Sequence, residues 1–137
     1  MKARRLAAMG SLLVVACNAN GHEARALTQA LDQFSLATPS DRARALAAFE
    51  AVPVTPYSTA ENAKRECIVY ARALHQALSL KDEVALRFAD VRSGLIEKSD
   101  PVAIALPTKL DDAERSLKEA AAVHPECRRL LAAAAAR

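Results

Sequence analysis

Apolar residues recur along much of the chain at intervals of three and four, the spacing that lines one face of an α-helix. Leu27, Ala30, Leu31 and Phe34 form the first such stripe and predict a helix from about His22 to Leu36. Thr38-Pro39-Ser40-Asp41 then reads as a helix start, with Thr38 as N-cap, Pro39 in the first turn and Asp41 facing the positive end of the helix dipole. That second helix presents Ala45, Leu46, Ala48 and Phe49 and stops at Val52-Pro53, because Pro53 and Pro56 forbid a helix through residues 52–57. Ser58-Thr59-Ala60-Glu61 is a capping box that opens a third helix, with Ala63, Cys67, Tyr70, Ala71, Leu74 and Leu78 on one face.

Beyond Ser79 the pattern loosens. Val84, Phe88, Val91 and Leu95 keep helical spacing, but Lys81 interrupts the stripe, so a kink or short turn fits at residues 79–82. Gly94 and Asp100-Pro101 punctuate the region. Val102–Leu106 is an uninterrupted apolar run between Pro101 and Pro107, read either as a loop over one end of the core or as an extended segment exposed for a partner. On the second reading Val102, Ile104 and Leu106 are the partner contacts. A further helix begins at Thr108, carries Leu110, Ala113, Leu117 and Ala121, and breaks at His124-Pro125 before a last alanine-rich helix. The expected fold is therefore all-α: a small antiparallel bundle of five or six helices.

Composition supports that reading. Alanine occupies 32 of 137 positions and leucine 17, while only three phenylalanines and two tyrosines are present and tryptophan is absent. Such a chain favours helix and leaves little with which to build strands. The net charge of +3 is misleading, because Lys2, Arg4 and Arg5 crowd the first five positions. They precede the apolar stretch Leu6–Val15 and then Ala16-Cys17, the order of an export signal whose apolar run is too short to span a bilayer. Removing residues 1–16 leaves 16 basic against 16 acidic side chains. A balanced chain lacks the cationic surplus that nucleic-acid binding requires, so no nucleic-acid partner is expected.

Val14-Val15-Ala16-Cys17 resembles the lipobox of bacterial lipoprotein precursors: an aliphatic residue, a small residue before the cut, and the cysteine. Val14 stands where leucine is commonest. The resemblance is confined to about the first twenty residues. It implies diacylglycerol on the Cys17 thiol, cleavage before it, and often acylation of the new amino group. It further implies a membrane anchor, firm because two or three acyl chains each add about 0.8 kcal/mol per buried CH₂. Asn18 after the cysteine resembles lipoproteins sent to the outer rather than the inner membrane. The resulting expectation is a signal peptide at 1–16, a lipidated cysteine and tether at 17–22, and a helical domain at 23–137. An ordinary secreted protein cut near Ala19 is the competing reading.

With Cys17 committed to lipid, Cys67 and Cys127 remain as an even pair in an oxidising compartment. Each lies on the apolar face of its helix, so a bridge between them is expected. The competing metal site, from His124, Glu126 and Cys127 with Cys67, has weak spacing, and no metal or other cofactor is expected. The three histidines are scattered, and the chain holds no Gly-rich phosphate loop, no nucleophile elbow and no His-Glu-x-x-His. Adjacent acidic pairs such as Asp82-Glu83 and Asp111-Asp112 diverge by about 100° on a helix and do not make a catalytic dyad. No catalytic residues are assigned. Two functional classes follow: an anchored module binding another envelope component, or a carrier holding a lipid or other apolar ligand inside the bundle.

Overall fold

The computed structural model describes residues 10–136, with side chains from residue 20 onward. Four helices make up these residues: α1 (Gly10–Leu36), α2 (Arg42–Glu50), α3 (Thr59–Arg92) and α4 (Pro101–Ala135). The fold is all-helical as expected, but the count is four rather than five or six, because two expected breaks do not occur. The third helix runs through residues 79–82 unbroken, and α4 carries both Pro107 and Pro125 inside it. Residues 18–21, expected as a tether, are also helical, since nothing between Gly10 and Leu36 removes a backbone donor.

Local chemistry sets the remaining boundaries. The N–H of Glu61 donates to Ser58 Oγ at 3.0 Å, and the Glu61 carboxylate accepts the Tyr57 N–H, so the predicted capping box forms with its return bond shifted by one residue. At the far end of α3, Leu95 N–H donates to the Asp90 carbonyl and Gly94 N–H to Val91. This Schellman closure requires the left-handed backbone that Gly94 adopts at φ 80°. The Asp100 side chain then caps α4 by accepting from Val102 N–H at 2.8 Å, with Pro101 in the first turn. Asp100-Pro101 is thus a helix start as well as the end of a connection. The second helix begins later than expected: Thr38 accepts at its carbonyl from Asp41 and Arg42, making a turn, and α2 starts at Arg42.

The long helices α3 and α4 form an antiparallel hairpin, each on the order of 50 Å long. Their buried positions follow heptads. On α4, Leu106, Ala113, Ala120, Cys127 and Ala134 recur every seven residues and are all buried. On α3, Ala60 and Cys67 and then Ala63 and Ala77 mark the facing seam. Small side chains fill most of this seam, so the helix backbones approach closely, and Cys67 and Cys127 have Cα atoms 4.8 Å apart. Pro125 leaves the Ala121 carbonyl without its helical donor, and both residues are exposed, where solvent can reach the freed acceptor.

The short helices cover only one half of the hairpin. Glu23 accepts from the Thr55 N–H just ahead of α3, and Asp32 pairs with Arg128 beside the bridge, so α1 runs parallel to α3. Its stripe of Leu27, Leu31 and Phe34 is buried in a cluster with Phe49, Ala60, Ala63, Cys67, Ala71, Cys127 and Leu131, and Ala24 is buried ahead of it. Helix α2 runs back along α3, tied by Arg42 to Asp82, by Glu50 to Arg72, and by the Val52 carbonyl to Lys64. Past Asp82 neither helix continues. The last ten residues of α3 and the first turns of α4 project about 15 Å as a two-helix arm.

Candidate functional site

The arm carries the apolar surface of interest. Val84, Phe88 and Val91 from α3 and Ala103, Leu106, Pro107 and Leu110 from α4 line a groove of ≈ 440 Å³, with Lys98 from the connecting loop as its one charged wall. Phe88 is 56% exposed and Leu110 41%, so the groove is open to solvent. Leu86, Leu95, Val102 and Ile104 add further exposed apolar surface on the same arm. The Lys109–Glu83 ion pair joins the two helices, and Arg87 pairs with Asp90. Lys98 has no ion-pair partner among the described residues and is the groove's one charged lining side chain, while Arg92, Glu97 and Asp100, also unpaired at the tip, lie outside the lining. Pro107 also deprives the Ala103 carbonyl of its helical donor, leaving an acceptor free along a groove-lining segment.

Val102, Ile104 and Leu106 are helical and not extended. In a strand they share one side; in α4 Val102 and Leu106 lie one turn apart while Ile104 points elsewhere. Leu106 is buried against α3 and lines the groove, whereas Ile104 is 65% exposed outside it. Both flanking prolines are compatible with helix here: Pro101 fills a first-turn position that lacks a donor requirement, and Pro107 sits on the exposed side of a helix held by its partner.

Cys67 and Cys127 are bridged, both wholly buried at the centre of the α1–α3–α4 packing. The lipobox side chains, including that of Cys17, lie outside the described residues, as does the basic start of the chain. No described helix is long and apolar enough to cross a membrane, and no described group of three or more His, Cys, Asp or Glu is placed to hold a metal ion.

A second, more polar groove of ≈ 650 Å³ lies between α1 and the end of α4, lined by Arg25, Asp32 and Arg128 among others. The Asp32–Arg128 pair bridges it, and Arg128 Nε also donates to His124 Nε2 at 3.3 Å. His124 in turn stacks at a tilt on Tyr70, with ring centroids 4.7 Å apart. These side chains tie three helices together and leave no free nucleophile among them. On the exposed face of α4, Arg129 holds the Glu126 carboxylate below the usual range, chiefly by hydrogen bonds, which outweigh an opposing desolvation with lesser help from its charge.

No family model, curated protein or solved structure matches this chain. The sequence pattern places Val84, Phe88 and Val91 on a helical face but does not distinguish core from groove. The distinguishing signal is length: a nine-residue α2 and the part of α1 beyond residue 20 cannot cover helices of 34 and 35 residues.

Proposed function

We propose that the chain is a cell-envelope lipoprotein, anchored through acylated Cys17, whose helical hairpin serves as a binding or accessory module for another envelope component. The observation that carries this reading is the use of its cysteines. One stands in a lipobox and the other two form a wholly buried bridge, a combination suited to an exported protein. Asn18 favours the outer membrane, with the module facing the periplasm. The exposed apolar arm lies at the end of the hairpin away from α1's N-terminus, where an anchored protein presents it outward. A carrier of an apolar ligand needs an enclosed interior; here the seam is filled by alanine contacts, and the apolar groove opens at the surface between Phe88 and Leu110. The balanced charge and the absence of a catalytic motif in the sequence favour binding over chemistry.

Intact mass of the protein purified from bacterial membranes, beside a Cys17→Ala variant, tests the reading. The expected mass is that of residues 17–137 plus acyl chains, less two hydrogens for the bridge. An unlipidated product cut elsewhere overturns the anchor and the membrane-bound module with it.

A further inference from the structure

The groove on the arm is the continuation of a seat that the protein already uses for one of its own helices. At the covered end of the hairpin, the residues beneath α1 include Ala63, Cys67 and Tyr70 on α3 and Cys127, Arg128 and Leu131 on α4. Moving three heptads along each helix toward the tip gives Val84, Phe88 and Val91 on α3, and Leu106, Pro107 and Leu110 on α4. Those six residues are all groove lining. Heptad translation preserves the face of a helix in a paired hairpin, so the two sites are one continuous surface, occupied at one end and open at the other. The covered end receives Leu27, Leu31 and Phe34, an apolar stripe seven residues long. From Val84 to Val91 the open end spans the same interval, with Phe88 and Leu106 standing where Cys67 and Cys127 are bridged at the covered end.

We propose that this open seat binds a single amphipathic helix of another protein, carrying apolar residues at i, i+4 and i+7 and an acidic residue one turn beyond the stripe at the tip end. Continuity with the α1 seat specifies a helix as occupant, and its apolar spacing follows from the stripe α1 presents there. Lys98, the one charged side chain of the groove wall and without an ion-pair partner among the described residues, specifies the acidic residue. A second copy of this chain is a poorer fit. An arm projecting about 15 Å offers far less than the roughly 800 Å² per partner of a standard stable interface. The proposal rests on the accessory-module reading and adds what the module binds.

The probe is a fluorescent peptide of residues 22–38, which holds the stripe and ends where Thr38 follows Phe34 by four positions. It is made with Thr38→Glu, with Thr38→Lys, and as a scrambled sequence. Anisotropy is read against the full-length protein in lipid nanodiscs, with empty nanodiscs as baseline. The protein's own α1 holds its seat by covalent linkage, so the free peptide reports the open end. The expected result is saturable binding, weakened about tenfold or more by Phe88→Asp and by Leu110→Asp, each checked for an unchanged circular dichroism spectrum. The Thr38→Glu peptide should bind about threefold or more tighter than the Thr38→Lys peptide, and this difference should shrink in Lys98→Ala. Equal binding by the scrambled peptide, or by both arm variants, overturns the proposal. So does binding of sodium myristate at the groove without binding of the peptide. Self-association abolished by Phe88→Asp, with no peptide binding, assigns the seat to a second copy and also overturns it. Acylated Cys17 holds the protein in the nanodisc but touches none of the groove residues, so failure of peptide binding leaves the intact-mass test of the anchor standing.

Discussion

Phe88 lies three heptads beyond Cys67 on the same face of α3, yet Cys67 is 0% exposed and Phe88 is 56% exposed. One helical face thus passes from core to surface without a change in its pattern. The difference lies in what packs against it: α1 and Phe49 at Cys67, and, among the described residues, no helix beyond the hairpin itself at Phe88.

Two phenylalanine truncations should separate these environments. Phe34→Ala empties a buried position and is expected to destabilise by about 3–5 kcal/mol. Phe88→Ala, despite its place on the heptad face, should change stability by less than about 1 kcal/mol. Denaturant unfolding of both variants checks this, and a Phe88→Ala loss as large as that of Phe34→Ala would place the arm within the core.

The bridge closes a loop across 60 residues and should contribute roughly 4 kcal/mol in the chain-entropy model. For a chain of this size, replacing both Cys67 and Cys127 with alanine should lower Tm by about 15 °C. Because both sulfurs are wholly buried, dithiothreitol should reduce the native protein only as fast as it opens. Thiol titration over time, with and without urea, reads that rate. Prompt reduction in the absence of urea would contradict the buried placement.

Much of this architecture is legible in the chain. Ser58 and Glu61 mark the start of α3, and the facing apolar positions of Cys67 and Cys127 point to the bridge. The helix count is less legible, because it depends on whether proline breaks a helix in isolation or is tolerated in a packed one. Pro107 and Pro125 both sit on exposed positions of α4, where the loss of one backbone bond, about 3 kcal/mol or more in an interior turn, is offset by packing along α3. Lys81 likewise leaves α3 intact because it is solvated at the point where the covered half of the hairpin gives way to the arm. The groove is illegible for a related reason: periodicity records a face and not what covers it.

Arg42 and Asp82 hold the start of α2 against α3 at 3.0 Å, with the Arg42 side chain only 9% exposed and Asp82 half exposed. Removing the acid strands a nearly buried guanidinium, so Asp82→Ala should cost about 1–3 kcal/mol. Arg42→Met removes the charge and keeps the packing, and should cost less than Asp82→Ala. Unfolding in urea for both single variants and the double variant measures the coupling. Additive losses would mean the pair makes no contribution of its own.

The depressed pKa of Glu126 gives a pH prediction with a definite sign. A carboxyl whose folded pKa lies below its unfolded value contributes stability above the unfolded pKa, and loses it as pH falls through the folded pKa. The group is fully exposed, so the measurable signature is its own titration. Carboxyl carbon NMR should place the Glu126 midpoint below that of an ordinary glutamate, and Arg129→Ala should move it up. An unmoved midpoint would mean that the two paired hydrogen bonds from Arg129 do not persist in solution.

Tyr57 adopts φ 58°, a left-handed backbone that is unfavourable for an aromatic residue by about 1–2 kcal/mol. Its side chain is fully exposed, and its N–H is held by the Glu61 carboxylate. The capping of α3 therefore fixes the strain, and the ring does not. Tyr57→Asn keeps the N–H and suits the left-handed region better, so it should raise stability by about 0.5 kcal/mol. Glu61→Ala should act oppositely, releasing the Tyr57 N–H and weakening the start of α3 by about 1 kcal/mol. Thermal unfolding of the two variants reads both effects. If Tyr57→Asn destabilised the protein, the ring itself would have to make a contact that its full exposure denies, and the account of this turn as a strained backbone held by a cap would fall.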